Sequence, residues 1–197
     1  MSHYYTSNLE TKSNVQKFTV TLRGEPLTFY TDHGVFSKQA IDFGTRLLIE
    51  SYEYQANHRK LLDMGCGYGP IGISLAKKFS NLWVDMVDVN ERALELCERN
   101  RLENGIENGR VFYSDLYAKI EDTYDVILTN PPIRAGKNIV HRIFEEGYHY
   151  LNENGELWVV IRKQQGAPSA KKKLEEIFGN CTVVTRDSGY YVLKSVK

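Results

Sequence analysis

The chain has no excess of either charge. Lys plus Arg number 25 and Asp plus Glu 25 in 197 residues, a formal net charge of zero. Non-specific nucleic-acid affinity comes from neutralising phosphates, so zero net charge argues against a protein held on nucleic acid by bulk charge, although it does not exclude a local basic patch. Cysteine is scarce: Cys66, Cys97 and Cys181 stand far apart with no C-x-x-C pair. An odd, scattered set makes neither a disulfide framework nor a zinc site. The five histidines form no H-x-x-x-H pair, so no metal is expected. No apolar run approaches the roughly 20 residues of a membrane span. The N-terminus lacks the apolar core of a signal peptide, which makes a reduced, cytoplasmic setting the default expectation, with no membrane partner. There is no internal repeat, low-complexity tract or linker. What remains is 42% hydrophobic and 25% charged, enough for a real core. Its length fits one domain, residues 1–197.

Along the chain, residues 18–22 and 27–30 alternate apolar and polar around a turn at Arg23-Gly24-Glu25-Pro26, as in a hairpin. A loop over 31–37 and a helix over 38–54 follow, with Ile41, Leu47, Leu48 and Tyr52 as its buried side. This extension, residues 1–55, precedes a repeating unit over 56–197. Strands are expected over 61–64, 82–87, 111–113, 124–129 and 156–161, with helices over 71–79, 91–103, 137–151 and 169–178. Asn90 caps the helix at 91, and Gly105 stops it. Two last strands, 181–185 and 190–193, form a hairpin. Strands alternating with helices mean an α/β fold with a mostly parallel sheet covered on both faces. It has seven strands, a C-terminal antiparallel hairpin, and an N-terminal hairpin and helix ahead of it.

In such sheets the ligand sits at the carboxyl ends of the strands, near the point where strand order reverses. The first of these strands ends in Asp63-Met64-Gly65-Cys66-Gly67-Tyr68-Gly69-Pro70. Glycines here let the backbone take positive φ and approach a ligand closely. A dinucleotide turn wants a third glycine where Pro70 stands. The acid comes before the glycines instead, which suits a ligand carrying an amine and a sulfonium. The second strand ends at Asp88-Val89, where a carboxylate suits two ribose hydroxyls; capping beside Asn90 is its other reading. The third ends at Asp115-Leu116, an acid for an exocyclic amine and an apolar side chain for the ring. A loop-capping aspartate is the alternative there.

The fourth strand ends at Asn130-Pro131-Pro132-Ile133. Two prolines stiffen the exit loop and remove two donors. The Asn130 side-chain oxygen and the Pro131 carbonyl can each accept one N–H of a planar amine. That frees the nitrogen lone pair for an electrophilic methyl, so catalysis is mainly positioning by preorganised dipoles. Ile133 follows the prolines; in the amine methyltransferases that this loop resembles, an aromatic often stands there to stack on a flipped base. Tyr68, Tyr190 and Tyr191 are candidates to replace it. Arg134 and Lys137 flank this loop and suit RNA phosphate. Lys171-Lys172-Lys173 with Arg162 and Lys163 is either a further basic patch or a solvated helix face.

Residues 63–73 resemble motif I of the S-adenosylmethionine (SAM) methyltransferases, and within them the RsmC/RlmG-type ribosomal RNA guanine-N2 methyltransferases. Residues 130–137 are similar to motif IV of that family. Gly34-Val35-Phe36-Ser37 with Asp42-Phe43-Gly44-Thr45 is similar to its upstream motif. The resemblance runs from about Phe18 to the end. It implies a Rossmann-like fold, SAM as donor, and ribosomal RNA as partner. It also implies that Asp63, Gly65 and Gly67, within the turn that includes Cys66, Tyr68 and Gly69, meet the methionine part. Asp88 and Val89 would then meet the ribose, Asp115 and Leu116 the adenine, and Phe36 and Ser37 would close over the cofactor. Other amine acceptors fit the same Asn-Pro-Pro logic: adenine N6 in nucleic acid, or a protein glutamine amide. A SAM-binding partner subunit without catalysis is the reading of another class.

Overall fold

The computed structural model describes residues 14–32 and 41–197. The elements are β1 (Gln16–Leu22), β2 (Glu25–Thr31), α1 (Phe43–Ser51), β3 (Lys60–Met64), α2 (Pro70–Lys78), β4 (Trp83–Asp88) and α3 (Glu91–Glu103). They continue as β5 (Gly109–Tyr113), β6 (Tyr124–Thr129), α4 (Lys137–Tyr150), β7 (Leu151–Arg162), α5 (Ala167–Phe178), β8 (Thr182–Asp187) and β9 (Tyr190–Val196).

The seven-stranded sheet has the order β5-β4-β3-β6-β7-β9-β8. Strands β5, β4, β3, β6 and β7 run parallel, and β9 is antiparallel to both its neighbours. From β3 the chain winds outward through β4 to β5, then returns to β6 on the other side of β3. The order therefore reverses between β3 and β6, and a crevice opens at their carboxyl ends. This is the Rossmann-like α/β arrangement expected from the sequence.

The central strands are apolar on both faces because both faces are covered. Leu61, Val126, Leu128, Trp158 and Val160 pack toward β1, β2 and α1–α3. Leu62, Ile127, Leu157, Val159 and Ile161 pack toward α4 and α5. The period of two along each strand sorts them.

The β1–β2 hairpin is stitched to α3. Asn100 Oδ1 accepts from Tyr30 N–H at 2.7 Å and its Nδ2 donates to the Tyr30 carbonyl at 3.0 Å. Asn104 does the same for Thr28, at 3.0 and 2.8 Å. Asn100 Nδ2 also donates to the Tyr68 carbonyl at 2.8 Å, so the same side chain holds the loop after β3.

Most expected boundaries move by one to three residues or more, and three of the shifts have a visible physical cause. The helix expected over 38–54 spans only Phe43–Ser51 among the described residues; 33–40 lie outside them. Asp42 starts it, its carboxylate accepting from the Gly44 and Thr45 N–H groups. Arg23 ends it: Nη1 donates to the Ile49 and Tyr52 carbonyls at 2.9 and 2.8 Å, and Tyr52 turns to extended backbone. Ile49 is buried where Leu47 was expected to be, and Leu47 is half-buried. Strand β7 begins at Leu151 rather than 156, because Leu151 already pairs with Tyr124 before an irregularity shifts the register. Helix α5 begins at Ala167, two residues early, since Pro168 suits a first turn that needs no donor.

Candidate functional site

The crevice holds a cavity of about 400 Å³, within the range of small-molecule sites. Its floor is the turn between β3 and α2. Gly65, Gly67 and Gly69 all have positive φ there, 74°, 56° and 101°. At Gly69 a Cβ would also stand 2.6 Å from Ile73 Cδ1 and 2.7 Å from Cys97 Sγ, so only glycine fits. At Gly65 and Gly67, which line the cavity, a Cβ would meet no protein atom within 4 Å. Backbone there faces open space.

The turn is fixed from β4. The Gly65 and Cys66 N–H groups donate to the Val87 carbonyl at 3.0 and 2.8 Å. Gly67 N–H donates to Asp88 Oδ2 at 2.8 Å, and Asn90 N–H donates to Asp88 Oδ1 at 3.0 Å. Asp88 thus clamps the turn, and with Val89 it lines the cavity. Cys66 and Tyr68 line it too. Burial and the neighbouring Cys97 push the Cys66 thiol well up, so it stays neutral. Tyr68 is buried with its ring edge-on to Phe18 and Phe29.

Asp63 does not line the cavity. It is fully buried at the end of β3. Its Oδ2 accepts from Gly72 N–H at 2.9 Å, and its Oδ1 has no hydrogen-bond partner among the described residues. Burial pushes the carboxyl up to about 7; the nearby Asp88 carboxylate adds to this and the Gly72 N–H opposes it.

At the end of β5, Leu116 lines the cavity, in left-handed backbone at φ 50°. Ser114 beside it donates its hydroxyl to the Leu116 carbonyl at 2.6 Å. Asp115 is exposed and does not line the cavity.

At the end of β6, Asn130, Pro131, Pro132, Ile133 and Arg134 form the opposite wall. Thr129 Oγ1 donates to the Met64 carbonyl at 3.0 Å, tying this wall to the floor. Asn130 Nδ2 donates to Asp42 Oδ2 at 3.1 Å and to Thr45 Oγ1 at 3.0 Å. Its Oδ1 receives no donor among the described residues. Lys137 borders an adjoining hollow of about 280 Å³, which shares Ile133 and Gln165 with the cavity. Of the lysine run, Lys171 and Lys173 pair with Glu175 and Glu145, as on a solvated helix face.

Several cavity residues, among them Asp42, Thr45, Gln165 and Tyr190, were not among the expected site residues. Asp42 carried a signal, since an aspartate just before an apolar run is a helix N-cap candidate. Tyr190 was only a stacking candidate. Its ring lies 5.7 Å from that of the exposed Phe43, and the Arg162 guanidinium lies 5.0 Å from its centre. Tyr191 does not line the cavity but carries Arg186 on its face. Phe36 and Ser37 lie outside the described residues.

A switch-point cavity with a glycine turn on one wall and an Asn-Pro-Pro loop on the other is the arrangement of a Rossmann-like methyltransferase. The sequence profile of the methyltransferase small domain matches residues 26–194, and the chain belongs to that family. A protein of Bacillus subtilis (strain 168) known only as the uncharacterized protein YbxB is 51% identical, over 99% of this chain and 98% of its own length. The ribosomal RNA small subunit methyltransferase C of Vibrio vulnificus (strain CMCP6) is 32% identical over 91% of this chain. The chain spans about half the length of that relative, 52%. Among solved structures, the T. thermophilus 16S rRNA N2 G1207 methyltransferase (RsmC), in complex with AdoMet and guanosine, superimposes with a TM-score of 0.83 at 23% identity. That match covers 93% of this chain and 50% of the other. Among the described residues, no helix is long and apolar enough to cross a membrane.

Proposed function

We propose that the chain methylates the exocyclic N2 amine of a guanine in ribosomal RNA, with residues 1–197 as one methyltransferase domain working in the cytoplasm. SAM is the methyl donor. The residues present fit it: backbone at Gly65 and Gly67 leaves open space for a ligand, Asp88 borders that space, and Asp63 keeps a buried oxygen without a partner. On this reading the turn from Gly65 to Gly69 and Asp63 hold the methionine part, and Asp88 with Val89 holds the ribose. Leu116, which lines the cavity, packs on the adenine. When bound, the cofactor supplies an electrophilic methyl group on a sulfonium.

The observation that carries the reading is the free acceptor at Asn130. Asn130 lines the cavity, and both protons of its amide are spent on Asp42 and Thr45, which leaves Oδ1 as its unpartnered acceptor. Oδ1 and the Pro131 carbonyl each accept one N–H of the substrate amine, and its lone pair is turned toward the methyl. No general base is needed before transfer, and the proton of the product ammonium leaves to water. Tyr190 and Phe43 give the base an aromatic wall where Ile133 has none. Arg134, and Lys137 in the adjoining hollow, take RNA phosphate. The likeness to RsmC proteins supports guanine N2 as the acceptor and ribosomal RNA as the partner.

Mass spectrometry of nucleosides from ribosomal RNA incubated with the protein and SAM tests this. Naked RNA and isolated subunits from cells lacking the enzyme are both used. A gain of N2-methylguanosine is the expected result. N6-methyladenosine, or methyl only on protein glutamine, would replace the guanine reading with one of those acceptors.

Asp88→Ala should weaken SAM binding about tenfold to a hundredfold, since two hydrogen bonds to a charged acceptor and the clamp on Gly67 are lost together. Calorimetric titration reads it. Unchanged affinity would assign Asp88 to holding the turn and capping α3 alone.

A further inference from the structure

We propose that Asp42 is the positioning residue that decides which end of the Asn130 amide meets the substrate amine. This rests on the reading of Asn130 given above. The oxygen and nitrogen ends of an amide are nearly the same size, so shape alone does not choose between them. The choice is chemical. If Nδ2 faced the cavity, a donor would meet the N–H donors of the amine, and transfer would stop.

The neighbours of Asn130 settle which way it turns. Asp42 Oδ2 accepts from the Thr45 N–H and hydroxyl and lies 3.1 Å from Asn130 Nδ2. Thr45 Oγ1 lies 3.0 Å from the same nitrogen. A hydroxyl can donate or accept, but the single Thr45 proton is already committed to Asp42 Oδ2, at 2.9 Å. Thr45 therefore presents a lone pair as well. Both groups beside Asn130 Nδ2 are acceptors, and both follow from one carboxylate. Reversing the amide would set its oxygen against two others.

Asp42 is itself held firmly. The Thr45 N–H donates to Oδ2 at 3.0 Å, and the Tyr190 hydroxyl donates to Oδ1 at 3.4 Å. The start of α1 thus supplies the orientation, across 88 residues of sequence, for a side chain at the end of β6. Capping and orientation are separable functions of this carboxylate, because asparagine caps helices about as well as aspartate.

Asp42→Asn separates them. The new amide can donate to Asn130 Oδ1, and the Thr45 hydroxyl is freed to donate too, so Asn130 populates both orientations. The expected result is a fall in kcat of about tenfold or more, with SAM affinity, KM for RNA and the melting temperature unchanged. The side-chain amide protons of Asn130, followed by nuclear magnetic resonance without substrate, should lose the downfield shift of a carboxylate hydrogen bond. Wild-type kcat in a folded Asp42→Asn protein overturns the proposal. If that variant loses stability, Asp42→Ser, which also caps helices but carries no carboxylate, replaces it, and wild-type kcat there overturns the proposal equally. If Asn130→Ala itself transfers methyl normally, the reading of Asn130 fails instead, while the amide resonances still report whether Asp42 sets the orientation.

Discussion

Asn130→Ala is expected to lower methyl transfer about a hundredfold to a thousandfold while SAM affinity stays near wild type. The magnitude follows that of removing one preorganised dipole from a reacting centre in other enzymes, roughly 3–4 kcal/mol. The alanine removes the acceptor that turns the amine, but nothing that borders the glycine turn. It also leaves Asp42 and Thr45 hydrogen-bonded to each other, so the start of α1 survives. Single-turnover transfer and calorimetric SAM binding, measured on the same preparation, separate the two effects. Loss of SAM affinity with normal turnover of bound cofactor would remove Asn130 from the amine. Asn130→Asp should be worse than alanine, because it places a second carboxylate within hydrogen-bonding distance of the first.

Asp63→Asn is expected to make the protein more stable above neutral pH and a weaker binder of SAM. The carboxyl titrates near 7 in the folded chain, against an ordinary 3.8. Below pH 3.8 both states hold the proton, and the raised value contributes its full stabilisation. Between 3.8 and 7 the unfolded chain gives the proton up while the folded chain keeps it, so stability falls as pH rises through that window. Above 7 the contribution is gone. The whole span is on the order of 4 kcal/mol. Asparagine does not titrate and can still accept from Gly72 N–H, but its own Nδ2 lacks an acceptor, which returns some of the gain. A net stabilisation of roughly 1–3 kcal/mol at pH 8 is expected, along with a flatter stability profile between pH 5 and 8. Urea melts across that range measure both. An unchanged slope would mean that Asp63 titrates in the ordinary range. On the proposed reading the cofactor amine draws the buried carboxylate into its charged form. Binding at pH 6 should then release a proton in the wild type and none in the variant, which calorimetry in buffers of different ionisation enthalpy detects.

The features visible in the sequence were those made by neighbouring residues. The glycine turn, the proline pair and the Asn90 cap each lie within a few residues of what they organise, and they fall where expected. The placement of β3 beside β6 follows from the winding of an α/β chain, so the crevice between them was legible as well. The Asp42–Asn130 and Tyr190–Asp42 contacts were not, because they span 88 and 148 residues and no local pattern ties their ends. The early end of α1 was hidden for a related reason. The apolar period runs on through Tyr52, but Arg23, on the far side of the hairpin, takes the last carbonyls. Asp115 and Leu116 show what strand ends conceal: adjacent residues point opposite ways, and the left-handed backbone at Leu116 sends the leucine toward the cavity and leaves the acid in solvent.

Asn100 joins two things that the chain keeps apart, the second strand of the hairpin and the carbonyl of Tyr68. The glycine turn is therefore not an autonomous loop. Fraying of the hairpin would release the Asn100 side chain, and with it one of the turn's fixed points. Amide exchange at Gly67 and Gly69 would then keep time with exchange at Tyr30, whereas the centre of β6 would remain closed. A proteolytic nick before residue 32 would be felt as lost cofactor affinity by a protein whose parallel sheet was still intact.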